Sequence, residues 1–177
     1  MRTAFLRNIA VRPRPGRRSQ GLLRAGPLVL PVALGRGGIK ANKREGDGGT
    51  PRGRFRPLRL WWRADRLSRP HTLLPARRIT RAAAWSEQPG DRNYNRPVTR
   101  SANEPGDRLW RDDGLYDLVL EIDHNVRPRI AGRGSAVFVH VARPGFTPTA
   151  GCVALRRHDL KLLLSRISAK TRIVIHG

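Results

Sequence analysis

The apolar residues of this chain come only in short runs, and glycine and proline fill the gaps between them. The longest runs are 28–34, 61–62, 115–122, 136–142, 160–164 and 173–175. Runs of this length suit strands, because a strand needs roughly 4–8 residues and a helix at least about 10. Pro70, Pro75, Pro89, Pro97 and Pro105 exclude long helices from the middle of the chain. No run approaches the roughly 18 apolar residues that span a membrane. The pattern therefore predicts a mainly β domain. One late helix is expected over 155–167, where Leu155, Leu160, Leu163, Leu164 and Ile167 fall near helical spacing between charged residues.

With 177 residues the chain suits one domain. The reading is a strand–turn segment over 1–26 packing on a domain over 27–177. Segment 40–53, rich in glycine and charge, is expected to be an exposed loop. Strands are expected over 115–123, 135–142 and 171–175, the second covered on both faces. Residues 63–113 are irregular, with Trp85, Tyr94 and Trp110 expected to pin them onto the domain.

Lys and Arg number 36 against 13 Asp and Glu, a formal net charge of +23. Such a surface attracts polyanions, whether nucleic acid, anionic lipid or anionic wall polymer. No ribonucleoprotein signature, zinc-ligand spacing or basic helix is present, which disfavours nucleic acid. The first residues contain no apolar core of about 7–15 residues of the kind a secretory signal needs.

Cys152 is the only cysteine, which excludes an internal disulfide and any multi-cysteine metal site. It follows Gly151 and precedes the expected helix. A helix start favours thiolate over thiol, and a glycine allows a sharp turn and close substrate approach. A thiolate nucleophile needs a base. Of His71, His124, His140, His158 and His176, His140 lies near the end of an apolar strand, twelve positions before the cysteine. His124 is the reserve. On residue types alone, Cys152 stays open between nucleophile, buried filler and inert thiol.

The stretches G-S-A-V-F-V-H at 134–140, T-A-G-C-V-A-L at 149–155 and T-R-I-V-I at 171–175 resemble the catalytic core of the L,D-transpeptidase family, the YkuD-like domain. G-D-G-G-T-P-R-G-R-F at 46–55 is similar to the family's Thr-Pro-x-Gly turn, and Y-D-L-V-L-E-I-D-H-N at 116–125 to a strand ending in asparagine. The resemblance covers about residues 27–177. It implies a β-rich sandwich or barrel with one C-terminal helix and no cofactor or metal. It also implies acyl transfer on peptidoglycan stem peptides in the periplasm or cell envelope. Carried over by motif, Cys152 is the nucleophile, His140 the base, and Ala150 and Gly151 the oxyanion turn. Arg156, Arg157 and Asn125 are expected to bind substrate. Many family members have a histidine where this chain has Ala150 and an arginine where it has Ala154. Transfer to an amine and hydrolysis by water, as in a carboxypeptidase or amidase, therefore both remain open. A non-catalytic basic module for polyanions is the reading from a different class.

Overall fold

The computed structural model describes residues 5–177, and strands dominate it. β1 (Asn8–Arg14), β2 (Arg17–Ala25) and β3 (Leu28–Ala33) form an antiparallel meander. Its turns use Gly16 and Gly26 at positive φ, which L side chains adopt poorly. β4 (Ile39–Lys40), β5 (Thr50–Pro51), β6 (Gly53–Phe55) and β7 (Pro57–Trp62) follow. The middle segment supplies β8 (Ala76–Arg78), β9 (Ala83–Trp85), β10 (Pro97–Thr99) and β11 (Asp107–Arg108). The chain closes with β12 (Leu118–Ile122), β13 (Phe138–Val141), β14 (Val153–Leu155), α1 (Arg157–Leu164) and β15 (Arg172–Ile175). Ten strands form one mixed sheet in the order β6-β15-β1-β2-β3-β14-β13-β12-β7-β8. A three-stranded sheet, β10-β9-β11, stands apart from it.

Period-2 alternation sorts the central strands between two cores. Leu60 and Trp62, Leu118 and Leu120, Val139 and Val141, and Val153 and Leu155 enter the larger cluster, together with the Leu160, Leu163 and Leu164 face of α1. Trp61, Val119, Phe138 and Cys152 point the other way, into a cluster with Ile79, Trp85, Leu109 and Tyr116. β13 is thus buried on both faces, as its unbroken apolar run predicts. Residues 63–113 supply much of the second cluster. Trp85 and Tyr94 are buried, while Trp110 is half-buried under the Arg63 guanidinium, 3.6 Å from the ring centroid.

Three expectations need correction. The helix covers Arg157–Leu164 only, because Leu155 is bound in register opposite Val141 and so belongs to a strand. Segment 40–53 is an exposed loop only in part. Lys43 is buried, with Nζ 2.7 Å from Asp47 Oδ1, and residues 48–51 are buried too. The glycines there serve close backbone packing: a Cβ on Gly35 would collide with the Gly48 carbonyl, and one on Gly37 would lie 2.8 Å from the Asp47 carbonyl oxygen. Of the segment expected to pack on the domain, residues 8–25 are part of the main sheet itself, and residues 1–4 lie outside the described residues. β1 and β2 are interior strands of the sheet, and β1 pairs in parallel with β15, which joins the two ends of the chain. The division at residue 26 falls in the tight turn between β2 and β3, which pair over six residues. Among the described residues no helix is long and apolar enough to cross a membrane.

Leu160 is fully buried where α1 meets the sheet. Leu160→Ala is expected to lower unfolding free energy by about 2–5 kcal/mol in urea titration, the usual cost of such a cavity.

Candidate active site

The parallel pairing of β13 with β14 builds the site. Val139 stands opposite Val153 and His140 opposite Ala154, so Cys152 falls beside Phe138. Alternation then puts Phe138, His140, Cys152 and Ala154 on one face. Strand spacing of about 4.8 Å and a rise of about 3.3 Å per residue place the Cys152 and His140 Cα atoms roughly 8 Å apart. Both side chains line one cleft of about 280 Å³, with Glu87, Asp107, Arg111, Tyr116, Arg143, Thr149 and Ala150 among its other walls.

Cys152 does not stand at a helix start. It is the last residue before β14, five residues ahead of α1, so no helix terminus acts on the sulfur. Its Sγ lies 3.3 Å from the Phe138 N–H, from which it accepts, and 3.3 Å from the Ala136 carbonyl, to which it donates. Burial pushes the thiol up to about 12, which outweighs the Phe138 N–H that favours thiolate. The resting sulfur is therefore a thiol, contrary to the helix-start expectation.

Burial acts on His140 in the opposite direction and brings it down to about 4, against the Val141 carbonyl that favours the charged form. Nδ1 lies 2.8 Å from that carbonyl oxygen and donates to it. That bond leaves the lone pair on Nε2, the nitrogen a general base uses. The ring packs edge-on against Tyr116 at 5.2 Å, and the Tyr116 hydroxyl donates to Asp107 Oδ2 at 2.7 Å.

The turn before the cysteine is held by one hydroxyl. Thr149 Oγ1 donates to the Cys152 carbonyl at 2.7 Å and accepts the Gly151 N–H at 3.1 Å. Gly151 has φ 148, and a Cβ there would lie 2.8 Å from the Gly49 carbonyl oxygen. Glycine is needed for both reasons.

The other sequence candidates are not gathered into the cleft. Arg157 donates to Asp117 Oδ2 at 2.6 Å, drawn there by a carboxylate that is only 2% exposed. Arg156 lies over the Phe146 ring at 5.2 Å. Neither lines the cleft. Asn125 adopts a positive φ and closes its own loop, with Nδ2 donating to the Ile130 and Gly134 carbonyls. His124 has Nε2 at the Arg133 carbonyl and packs on Phe55. His71 and His158 are exposed.

Sequence reasoning missed the walls and the brace. Asn95, at positive φ and 3% exposed, accepts from Trp85 Nε1 at 2.9 Å and from the Ala136 N–H at 3.2 Å. Its Nδ2 donates to the His124 and Asn125 carbonyls. Ala136 itself has φ 50, an unfavourable conformation for alanine, and its carbonyl receives the thiol. Next to this brace, Glu45 Oε2 accepts from Tyr94 Oη at 2.5 Å and from Ser135 Oγ at 2.8 Å. The only signal in the sequence was the polar Asn-Tyr-Asn at 93–95 amid an irregular stretch.

Residues 18–175 match the model of the YkuD family, described as the L,D-transpeptidase catalytic domain. The chain belongs to this family. The match starts inside β2 and ends on the last residue of β15, so it takes in residues the sequence reading had set outside the domain. Two solved structures are similar to this L,D-transpeptidase-family chain. One is an L,D-transpeptidase from Mycobacterium smegmatis, at 12% identity and TM-score 0.42, over 96% of this chain and 58% of that one. The other is L,D-transpeptidase 3 from Mycobacterium tuberculosis, at 12% identity and TM-score 0.44, over 96% and 61%. The chain spans about three-fifths of the length of these structures. No curated protein sequence matches it.

Asn95→Ala removes one oxygen that accepts two bonds and one amide that donates two from a buried junction. The variant is expected to lose about 3 kcal/mol of stability, read as a lower urea midpoint. The equally buried but singly bonded Ser86→Ala serves as the milder control.

Proposed function

We propose that this member of the family carries out cysteine-dependent acyl transfer on peptidoglycan stem peptides. One observation carries the reading: Cys152 and His140 share a face of two paired parallel strands at the wall of one cleft. The fixed tautomer of His140, with Nε2 as the proton acceptor, supports it.

In the first step the Cys152 thiol gives its proton to His140 Nε2 as sulfur attacks the peptide carbonyl carbon. A C–S bond forms and the carbonyl oxygen takes the negative charge. The imidazolium then protonates the departing amine as the C–N bond breaks, leaving a thioester and neutral His140. An amine or a water molecule attacks the thioester, and the sulfur leaves as thiol. Burial disfavours a thiolate alone and an imidazolium alone, so the proton moves when the substrate's own developing charge is present.

We assign the oxyanion to the turn at Ala150–Cys152. The Gly151 N–H already meets Thr149 Oγ1, so the Ala150 and Cys152 N–H groups carry this role. Arg156 and Arg157 are left out of substrate binding, since both have partners elsewhere. We place the reaction in the periplasm or cell envelope, where the peptide substrate resides and where a chain of charge +23 associates with anionic wall polymers.

A carbapenem tests the reading, because opening its four-membered ring on sulfur adds the whole molecule with no leaving group. Intact-mass measurement is expected to show one adduct per chain, absent from Cys152→Ala. His140→Gln is expected to slow its formation by about 10²–10⁴-fold, the usual contribution of a positioned base. Absence of an adduct on the unaltered protein, or an adduct that persists in Cys152→Ala, contradicts the proposal.

A further inference from the structure

Glu87 is a carboxylate without a protein partner in a chain rich in arginine. Among the described residues it makes no hydrogen bond and no ion pair, although 36 Lys and Arg are present. Of the other carboxylates only Asp159, on the first turn of α1, shares this state. The rest are tied to arginine, lysine, hydroxyl, indole or backbone N–H groups. Asp47 meets Lys43, Asp117 meets Arg66 and Arg157, and Glu121 meets Arg59 and Trp61.

The position of Glu87 gives this a meaning. It is half-buried and lines the same cleft as Cys152 and His140. Beside it Asp107 is held by the Tyr116 hydroxyl, with Arg111 3.8 Å away. Neither cleft arginine pairs with Glu87: Arg111 is shared between Asp113 at 2.6 Å and Asp107 at 3.8 Å, and Arg143 lies 3.5 Å from Asp113. Lys43, below the turn, is committed to Asp47. On this wall Glu87 is therefore the carboxylate left uncompensated. His140 faces the same wall, 6% exposed, with its Nδ1 committed to the Val141 carbonyl.

We propose that Glu87, supported by Asp107, is the acceptor subsite of this cleft and takes a primary ammonium group. This rests on the acyl-transfer reading above. In the second half-reaction Glu87 accepts one proton from R–NH₃⁺ and frees the nitrogen lone pair. That nitrogen attacks the thioester carbonyl carbon, a C–N bond forms and the C–S bond breaks. A second proton passes from nitrogen through His140 Nε2 to the departing sulfur. The third stays on the new amide, and Glu87 returns its proton to solvent.

The electrostatics agree with the role. Burial first, then the charges of Asp107 and Glu45, push the Glu87 carboxyl up to about 7. A bound ammonium relieves both causes, and a carboxyl poised near neutrality suits a proton acceptor. Water carries no positive charge and gains no charge attraction from this wall. The carboxylate thus favours transfer to an amine over hydrolysis.

The test uses the full chain and a tetrapeptide muropeptide as both donor and acceptor. Cross-linked dimer and hydrolysed tripeptide are counted by mass spectrometry, and their ratio is read within each variant, so overall rate drops out. Glu87→Gln is expected to lower the dimer-to-tripeptide ratio by at least about tenfold, the scale of one lost charge-assisted contact. Glu87→Asp, which keeps the charge, is expected to retain most of it and covers the case in which the glutamine variant folds poorly. An unchanged ratio in Glu87→Gln overturns the acceptor role while leaving the acyl-enzyme intact. Hydrolysis alone from the unaltered protein also overturns it. Failure of the unaltered protein to form a carbapenem adduct overturns the acyl-transfer reading and this inference with it.

Discussion

Everything at the cleft depends on the parallel pairing of β13 with β14. Antiparallel strands can be joined by a two-residue turn, but parallel strands need a longer crossover. Here residues 142–152 make that crossover without an α-helix, through a single 3-10 turn at Pro144–Phe146 and the Thr149 hydroxyl. The register it sets puts Cys152 and His140 on the same face. A slip of one residue would send the cysteine into the large core and turn Val153 and Leu155 toward the cleft.

The rest of the chain holds that pairing still. Gly49 leaves no room for a side chain at Gly151, so the nucleophile turn lies against the buried glycine-rich segment. From the other side Asn95 grips the Ala136 N–H, and Ala136 in turn receives the thiol. Residues 63–113 are thus more than a cover. They brace the sulfur through Asn95 and build the cleft wall through Glu87, Asp107 and Arg111. The cost is a low-dielectric site in which neither Cys152 nor His140 carries charge at rest.

How much of this was legible follows from how far each feature depends on local sequence. The strands β12, β13 and β15 announced themselves as apolar runs, and His140 and Cys152 stood out within theirs. The α1 face was legible from Leu160, Leu163 and Leu164, but its start was not. Leu155 fits a helical spacing equally well, and only pairing with Val141 makes it a strand residue. Lys43 reads as a surface charge until Asp47 is folded against it. Arg157 looked like a substrate ligand because its partner Asp117 lies 40 residues away in sequence. The two- and three-residue strands of the middle segment carry too few apolar residues to show a period, so its contribution to the cleft was invisible.

The central claim is that the resting cleft holds a neutral thiol beside a neutral imidazole. Its most direct test is the rate of Cys152 alkylation by iodoacetamide in the folded protein as a function of pH. A neutral pair predicts slow alkylation through pH 9, rising only in strongly alkaline solution, and rapid reaction near pH 9 once the chain is unfolded in urea. An inflection at or below pH 7 in the folded protein would reveal a preformed thiolate–imidazolium pair and contradict it.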